Sequence, residues 1–183
     1  MKFKILIFLF TLTFSLSCLT QIKYGSNNGK YLTIRGTKLY YEEYGKGTPL
    51  LLLHGGLGSI TDFKKCIPNL SKKYKVIAFD APGLGRSEFA DSIMTYKLMA
   101  NYYSKAIDIL KLDSTYVIGW SDGGNAALLL AKMRPDKIKK IAVSGATYKL
   151  EGTTKESLEE INKFSDTVWV SKELKPWIKQ YKE

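Results

Sequence analysis

The residues Gly119-Trp120-Ser121-Asp122-Gly123, followed by Gly124, constrain this chain more than any other feature. The apolar run 115–120 ends there and the helical pattern 122–133 begins. A chain turns so sharply from strand into helix only if the corner residue takes a strained backbone conformation, so a positive φ is expected at Ser121. Neighbouring backbone must then pass close by, and Gly119 and Gly123 have no side chain to clash. The turn lifts a serine hydroxyl clear of the sheet, at the positive end of a helix. Taken alone, G-x-S-x-G is a weak pattern; its place at a strand–helix junction makes it strong. The plainer reading is a serine that caps a helix.

The rest of the chain supplies the sheet that such a turn needs. Residues 31–35 and 38–44 read as an antiparallel hairpin around Gly36-Thr37. Residues 50–53 are a continuous apolar run, as in a strand buried on both faces, and end in His54-Gly55-Gly56. A helical stretch is expected over 61–73, with Pro68 bending or breaking it. Residues 76–79 form the next buried strand, closed by Asp80 and Pro82-Gly83. Over 95–111, Met99, Tyr102, Tyr103, Ala106, Ile107 and Leu110 share one helical face. After the helix 122–133, residues 138–143 read as a further strand. This rhythm predicts an α/β fold, a mostly parallel sheet with helices on both faces. Beyond about residue 148 the character changes: 156–164 and 172–181 read as amphipathic helices with no strand after them.

Two more loops bear on chemistry. His54-Gly55-Gly56-Leu57-Gly58-Ser59 follows the third strand, where a glycine-rich loop can aim a backbone N–H at a reacting carbonyl. The N–H groups of Gly56 and Asp122 would then form an oxyanion hole. Asp80-Ala81-Pro82-Gly83-Leu84-Gly85-Arg86-Ser87 follows the fourth strand. With these motifs in this order, the chain resembles the α/β-hydrolase superfamily from about residue 31 to 148. The resemblance implies the α/β-hydrolase fold and Ser121 as nucleophile, acting on a small ester-like, thioester or amide substrate through an acyl-enzyme.

The stretch Gly-Trp-Ser-Asp-Gly-Gly is also similar to valacyclovir-hydrolase-like members, which hydrolyse esters of amino acids. There the acid after the nucleophile recognises the substrate's amino group, which implies a substrate-binding role for Asp122. The plainer role for Asp122 is to complement the helix dipole. Serine rather than aspartate at the turn argues against the dehalogenase and epoxide-hydrolase chemistry of the superfamily.

Serine attack needs a base, and the base needs an orienting acid. In this family the order is serine, acid, histidine. The chain has one histidine, His54, which precedes the serine and belongs to the glycine-rich loop, where its ring is expected to hold the loop in shape. Glu151 is a poor substitute for the acid. The expectation is therefore a chain truncated within the cap region: a signal peptide over 1–20, the front of the hydrolase core over 21–148, and an incomplete helical cap over 149–183. Such a polypeptide is expected to be nearly inactive. The alternative is a non-catalytic binding protein, or a non-functional fragment, that keeps the pocket.

No metal or cofactor is implied, because no His/Cys/Asp cluster has ligand spacing. The net charge of +11 raises the question of nucleic acid, but the lysines are scattered and no aromatic–basic interleaving accompanies them. A solvated surface and a small-molecule substrate are the expectation, with no nucleic-acid partner. Lys2 and Lys4 precede an apolar run over 5–16 that is too short to span a bilayer, the pattern of a secretory signal peptide. Cleavage after Ser17 or Thr20 would give an exported, periplasmic or extracellular protein. Ser15-Leu16-Ser17-Cys18 also resembles a loose bacterial lipoprotein box, in which a lipidated Cys18 would anchor the protein to a membrane. With Cys18 trimmed or lipidated, Cys66 is the only thiol left and no internal disulfide forms.

Overall fold

The structure, a computed structural model, describes residues 23–25, 29–90, 94–147 and 154–156. The expected signal peptide, Cys18, Glu151 and most of the two C-terminal helical stretches lie outside the described residues.

The chain opens with the hairpin β1 (Lys30–Ile34) and β2 (Thr37–Tyr44). Ile34 pairs with Thr37, so the turn is Arg35-Gly36 and not Gly36-Thr37 as the sequence suggested. Both turn residues have positive φ, 53° and 82°, the mirror-image turn whose twist matches that of paired strands. Next comes β3 (Thr48–Leu53). The helix expected over 61–73 is instead two short pieces, a 3₁₀ turn (Ile60–Phe63) and α1 (Ile67–Leu70). Pro68 falls in the first turn of α1, where its missing N–H is harmless, so it starts a helix and does not bend one. Then follow β4 (Tyr74–Phe79), α2 (Tyr96–Ile109), β5 (Thr115–Trp120), α3 (Asp122–Met133) and β6 (Ile138–Ser144).

All six strands form one sheet in the order β1-β2-β4-β3-β5-β6. β4, β3, β5 and β6 run parallel, and the β1–β2 hairpin joins antiparallel through β2 and β4. The strands of β3 and β4 are apolar at successive positions because the sheet is covered on both faces. Leu51, Leu53, Ile77, Phe79 and Val117 pack against α2 and α3 on one face, while Leu50, Leu52, Val76 and Ala78 meet Ile60, Phe63 and Ile67 on the other. At the β6 edge, by contrast, only Ile138 is buried, and Ile141 and Val143 are exposed.

The topology determines where a ligand fits. From β3 the chain crosses to β4 on one side, then returns past β3 to β5 and on to β6. The connections leaving β3 and β5 thus diverge, and open α/β sheets bind ligands in the crevice at the carboxyl ends of such strands. Here those ends carry His54-Gly55-Gly56 and Ser121-Asp122.

Two buried polar groups on the flanks were not foreseen. Glu42 on β2 is almost wholly buried and accepts hydrogen bonds from the hydroxyls of Tyr40 (2.8 Å) and Tyr44. Burial, then the bond to Glu42, pushes the Tyr40 phenol up to about 12. The Tyr44 hydroxyl accepts from Gly25 N–H (2.9 Å), and Gly25 O accepts from Thr61 Oγ1 (3.0 Å), so the leading segment is tied to the 3₁₀ turn. The second group is Tyr103, fully buried on α2 against Phe79, whose hydroxyl has no partner among the described residues.

Chemical unfolding in urea tests this reading of the core. Leu51→Ala, at a fully buried site on the central strand, is expected to lose about 2–5 kcal/mol. Tyr103→Phe is expected to be neutral or to gain about 1 kcal/mol, since it removes an unsatisfied buried hydroxyl and keeps the ring.

Candidate active site

Ser121 joins β5 directly to α3 and has φ 50° and ψ −123°, a conformation that side chains other than glycine rarely adopt. Its hydroxyl makes no capping bond to the helix although it occupies the N-cap position, so the plain capping role fails. The strain is held by close packing. A side chain on Gly123 would strike the carbonyl oxygens of Leu53 and His54, and one on Gly119 would strike Gly123 O. On the other side, Ser121 N–H donates to Ser144 O at 2.8 Å, tying the corner to β6.

The loop after β3 lies against this corner. A Cβ on Gly55 would approach Ser121 Cβ and the Trp120 ring to 3.1 Å. Gly58 N–H donates to Gly55 O at 3.2 Å, closing a tight turn whose third residue, Leu57, has φ 58°. A non-glycine residue in that position of a turn is strained, and it sits beside Gly56. A side chain on Gly56 would run into Asp122 Oδ2, so the Asp122 carboxylate lies against the loop.

His54 is fully buried, and both ring nitrogens are engaged. Ala81 N–H donates to Nε2 at 2.9 Å, which assigns the proton to Nδ1, and Nδ1–H donates to Gly55 O at 2.7 Å. The imidazole thus bridges the loops after β3 and β4. Burial holds it below the ordinary histidine range, against the pull of the Gly55 carbonyl and of Asp80, so it is neutral. Asp80, also buried, accepts from Ile60 N–H (2.7 Å) and Arg86 N–H (2.8 Å) and fastens the same two loops.

Beside Gly56 and Asp122 opens a cavity of about 650 Å³, lined further by Ala81, Leu84, Phe89, Met94, Tyr96 and Met99 among others. Asp122 is in the first turn of α3, but its carboxylate bonds to no N–H of that helix. Asp122 Oδ1 accepts from the Tyr96 hydroxyl of α2 at 2.8 Å. Burial, and then this carboxylate, push the Tyr96 phenol up. The structure therefore brings together Ser121, Gly56 and Asp122 from the ends of β3 and β5. Cys18 is outside the described residues. Among the described residues no three His, Cys, Asp or Glu side chains are grouped to hold a metal.

Tyr96 was missed by sequence reading. It is the first residue of α2, after the N-cap Thr95, and no spacing in the sequence pairs it with a residue 26 positions on. The cavity's apolar wall was hidden in the same way, because Phe89 and Met94 lie in a segment without periodicity.

A strained serine between a parallel strand and a helix, at the strand-order reversal and beside a cavity, marks this crevice of an open α/β sheet as the candidate site. The chain belongs to the α/β-hydrolase fold family, whose sequence pattern it matches over residues 48–170. It is 35% identical over 115 residues to the uncharacterized hydrolase YugF of Bacillus subtilis, covering 61% of this chain and 42% of that protein. It is 33% identical over 144 residues to the serine hydrolase BPHL of Homo sapiens, covering 74% of this chain and 50% of that protein. The chain thus spans about half the length of the curated relatives it matches. Among solved structures, the epoxide hydrolase CorEH superposes with a TM-score of 0.69 at 28% identity, covering 77% of this chain and 53% of that one.

The buried imidazole makes the fold pH-sensitive. Unfolded His54 titrates near 6.5 and folded His54 lower, so below about pH 6.5 the unfolded chain takes up a proton that the folded chain refuses. Stability is expected to be flat above that pH and to fall below it by up to about 1.4 kcal/mol per pH unit. His54→Gln should flatten this slope while losing about 1–3 kcal/mol at pH 8, because a buried loop partner is left unpaired. Urea midpoints between pH 8 and 5.5 measure both effects.

Proposed function

We propose that this chain carries the nucleophile half of a serine-dependent hydrolase acting on small ester-like, thioester or amide substrates. The observation that carries the reading is the left-handed backbone of Ser121, whose hydroxyl is spared from capping and whose neighbours line a cavity. In this scheme Ser121 Oγ attacks the carbonyl carbon and its proton passes to a base. Negative charge collects on the carbonyl oxygen, facing the N–H groups of Gly56 and Asp122, and these donors act where charge develops. The leaving alcohol, thiol or amine then takes a proton, and water releases the acyl group from Ser121.

His54 is not that base, since both its nitrogens are already bonded inside the protein. A polypeptide of these 183 residues is accordingly expected to acylate slowly and turn over little, with binding and the oxyanion donors supplying residual rate. That expectation keeps a non-catalytic binding role as the second reading for this polypeptide.

In this proposal Asp122 also contacts the substrate, taking an amino group on the acyl part. Its support is a carboxylate turned to the cavity and Tyr96 instead of to its own helix. Export is proposed on residues 1–20 alone, with Cys18 as the lipidation point of an anchored form. The mass of the mature N-terminus distinguishes a trimmed chain from a diacylated Cys18.

Incubation with a fluorophosphonate, followed by intact mass and peptide mapping, tests the nucleophile. One adduct per chain is expected on Ser121, and none in Ser121→Ala. Labelling elsewhere, or equal labelling of the alanine variant, would remove Ser121 from the role. Steady hydrolysis of p-nitrophenyl esters at ordinary enzyme rates, lost in Ser121→Ala, would instead show that a base is present and overturn the expectation of low turnover.

A further inference from the structure

We propose that the layer formed by the 3₁₀ turn and α1 is a docking face for an anionic lipid bilayer, turned toward it by the short stretch of chain between Cys18 and Lys23. This rests on the reading of Cys18 as a lipidation point and goes beyond it, because it assigns the face that meets the lipid and the side on which the crevice is left.

The leading segment is built into one face of the sheet. Tyr24 packs against the core that contains Ile60, Phe63 and Ile67, and its ring lies 5.2 Å from that of Tyr44. Gly25 is clasped from two sides: its N–H donates to the Tyr44 hydroxyl, and its carbonyl accepts from Thr61 Oγ1. Glycine is required there, since φ is 76° and a Cβ would come within 2.7 Å of Thr61 Cα. Between this attachment and Cys18 the chain is short. Fully extended residues span at most about 3.3–3.6 Å each, so Lys23 lies within about 18 Å of a lipidated Cys18. That is less than the width of a domain of this size, whose radius of gyration is about 15 Å. The anchor thus restricts which side the body can turn to the lipid.

The side so directed carries lysines without acidic partners. Among the described residues, ion pairs use Lys30, Lys38, Lys75, Arg134 and Lys137. Lys46, Lys64, Lys65, Lys72 and Lys73 are exposed and enter none of them. Lys64 is joined to the attachment directly, its N–H donating to Thr61 O at 3.1 Å. Lys46, Lys72 and Lys73 gather where the turn after Tyr44 meets the end of α1: a side chain on Gly45 would strike Ser71 O, and one on Gly47 would strike Lys73 O. The acids of these segments are committed within the protein. Asp62 accepts from Ser59 N–H, and Glu43 pairs with Lys30 and Lys75. Lysines beside anionic lipid are attracted over about a Debye length, about 10 Å at 0.1 M salt, so an anchor that brings them close is what lets them act. The acyl chains supply attachment and the lysines orientation. Ala81, Leu84 and Met99 of the cavity belong to the core on the other face of the sheet. A body docked through α1 therefore keeps its crevice toward water, where a small soluble substrate arrives.

Lysine footprinting of the lipidated chain in vesicles tests the face. Acetylation by a water-soluble N-hydroxysuccinimide ester is mapped by mass spectrometry in detergent, in phosphatidylcholine vesicles and in vesicles that also contain phosphatidylglycerol. With phosphatidylglycerol, Lys64, Lys65, Lys72 and Lys73 are expected to react about tenfold more slowly than in detergent, while Lys97, Lys105 and Lys132 of α2 and α3 keep their rates. Raising salt to about 1 M should abolish the difference although the protein still floats with the vesicles. A long Gly/Ser insertion between Gln21 and Ile22 should weaken the protection without loss of flotation.

Equal rates at all seven lysines, or protection of Lys97, Lys105 and Lys132 instead, overturn the docking face. Protection of the same size in phosphatidylcholine alone overturns the role of anionic lipid, and protection unchanged by the insertion overturns the role of the tether. A mature N-terminus without acyl chains sinks the lipidation reading, and the face is then judged by flotation of the trimmed chain with phosphatidylglycerol vesicles at low salt. Flotation lost on combining Lys64→Gln, Lys65→Gln, Lys72→Gln and Lys73→Gln, at an unchanged urea midpoint, keeps the face. No flotation, or flotation indifferent to those substitutions, overturns it.

Discussion

The site depends on how closely the first turn of α3 approaches the end of β3. Gly123 lies against the carbonyl oxygens of Leu53 and His54, and Gly119 against the carbonyl of Gly123, at separations that leave no room for one more carbon. Interiors are packed too densely for a helix to shift and absorb such an insertion locally. With the helix held there, the chain leaves β5 and enters α3 within a single residue, and Ser121 takes up the whole change of direction. Its N–H is then in place for Ser144 O on β6. Three neighbouring parallel strands thus converge on one serine, and its strain is maintained by contacts that lie outside it.

A second layer of order comes from buried polar groups that are satisfied by backbone. Asp80 takes two loop N–H groups and His54 gives and takes one bond each, so the loops after β3 and β4 are fastened to each other. Both side chains are spent on this architecture. Asp122 differs from them: one oxygen is bonded to Tyr96, and among the described residues no lysine or arginine pairs with the carboxylate at the cavity. Asp80 has both oxygens bonded to backbone, whereas Asp122 keeps Oδ2 toward the Gly56 loop and the cavity, so the two carboxylates differ in what is left to meet a ligand.

Much of the fold was legible in the sequence where local rules suffice. The bounds of β5 and α3, the positive φ at Ser121 and the buried face of α2 follow from periodicity and from the glycines around the serine. The loop role of His54 was likewise readable, although its tautomer was not. The failures have physical causes. Arg35 took a left-handed turn position because the strand register demanded it, against its own preference. The stretch 61–73 broke in two: Ser59 caps a 3₁₀ turn with Asp62, and Pro68 begins a separate helix. Nothing in the sequence signals the burial of Glu42, which the hydroxyls of Tyr40 and Tyr44, two positions to either side on the same face, satisfy inside the core.

By itself, then, the sequence determined the succession of strands and helices, the parallel layered class and the identity of the strained serine, because those depend on spacing along the chain and on which residues tolerate a tight turn. Only the tertiary structure decided that His54 is neutral and occupied, that the crevice lies between the ends of β3 and β5, and that Tyr96 holds Asp122 against Gly56. These are relations between residues brought together by strand order and helix packing, and distance along the chain carries no record of them.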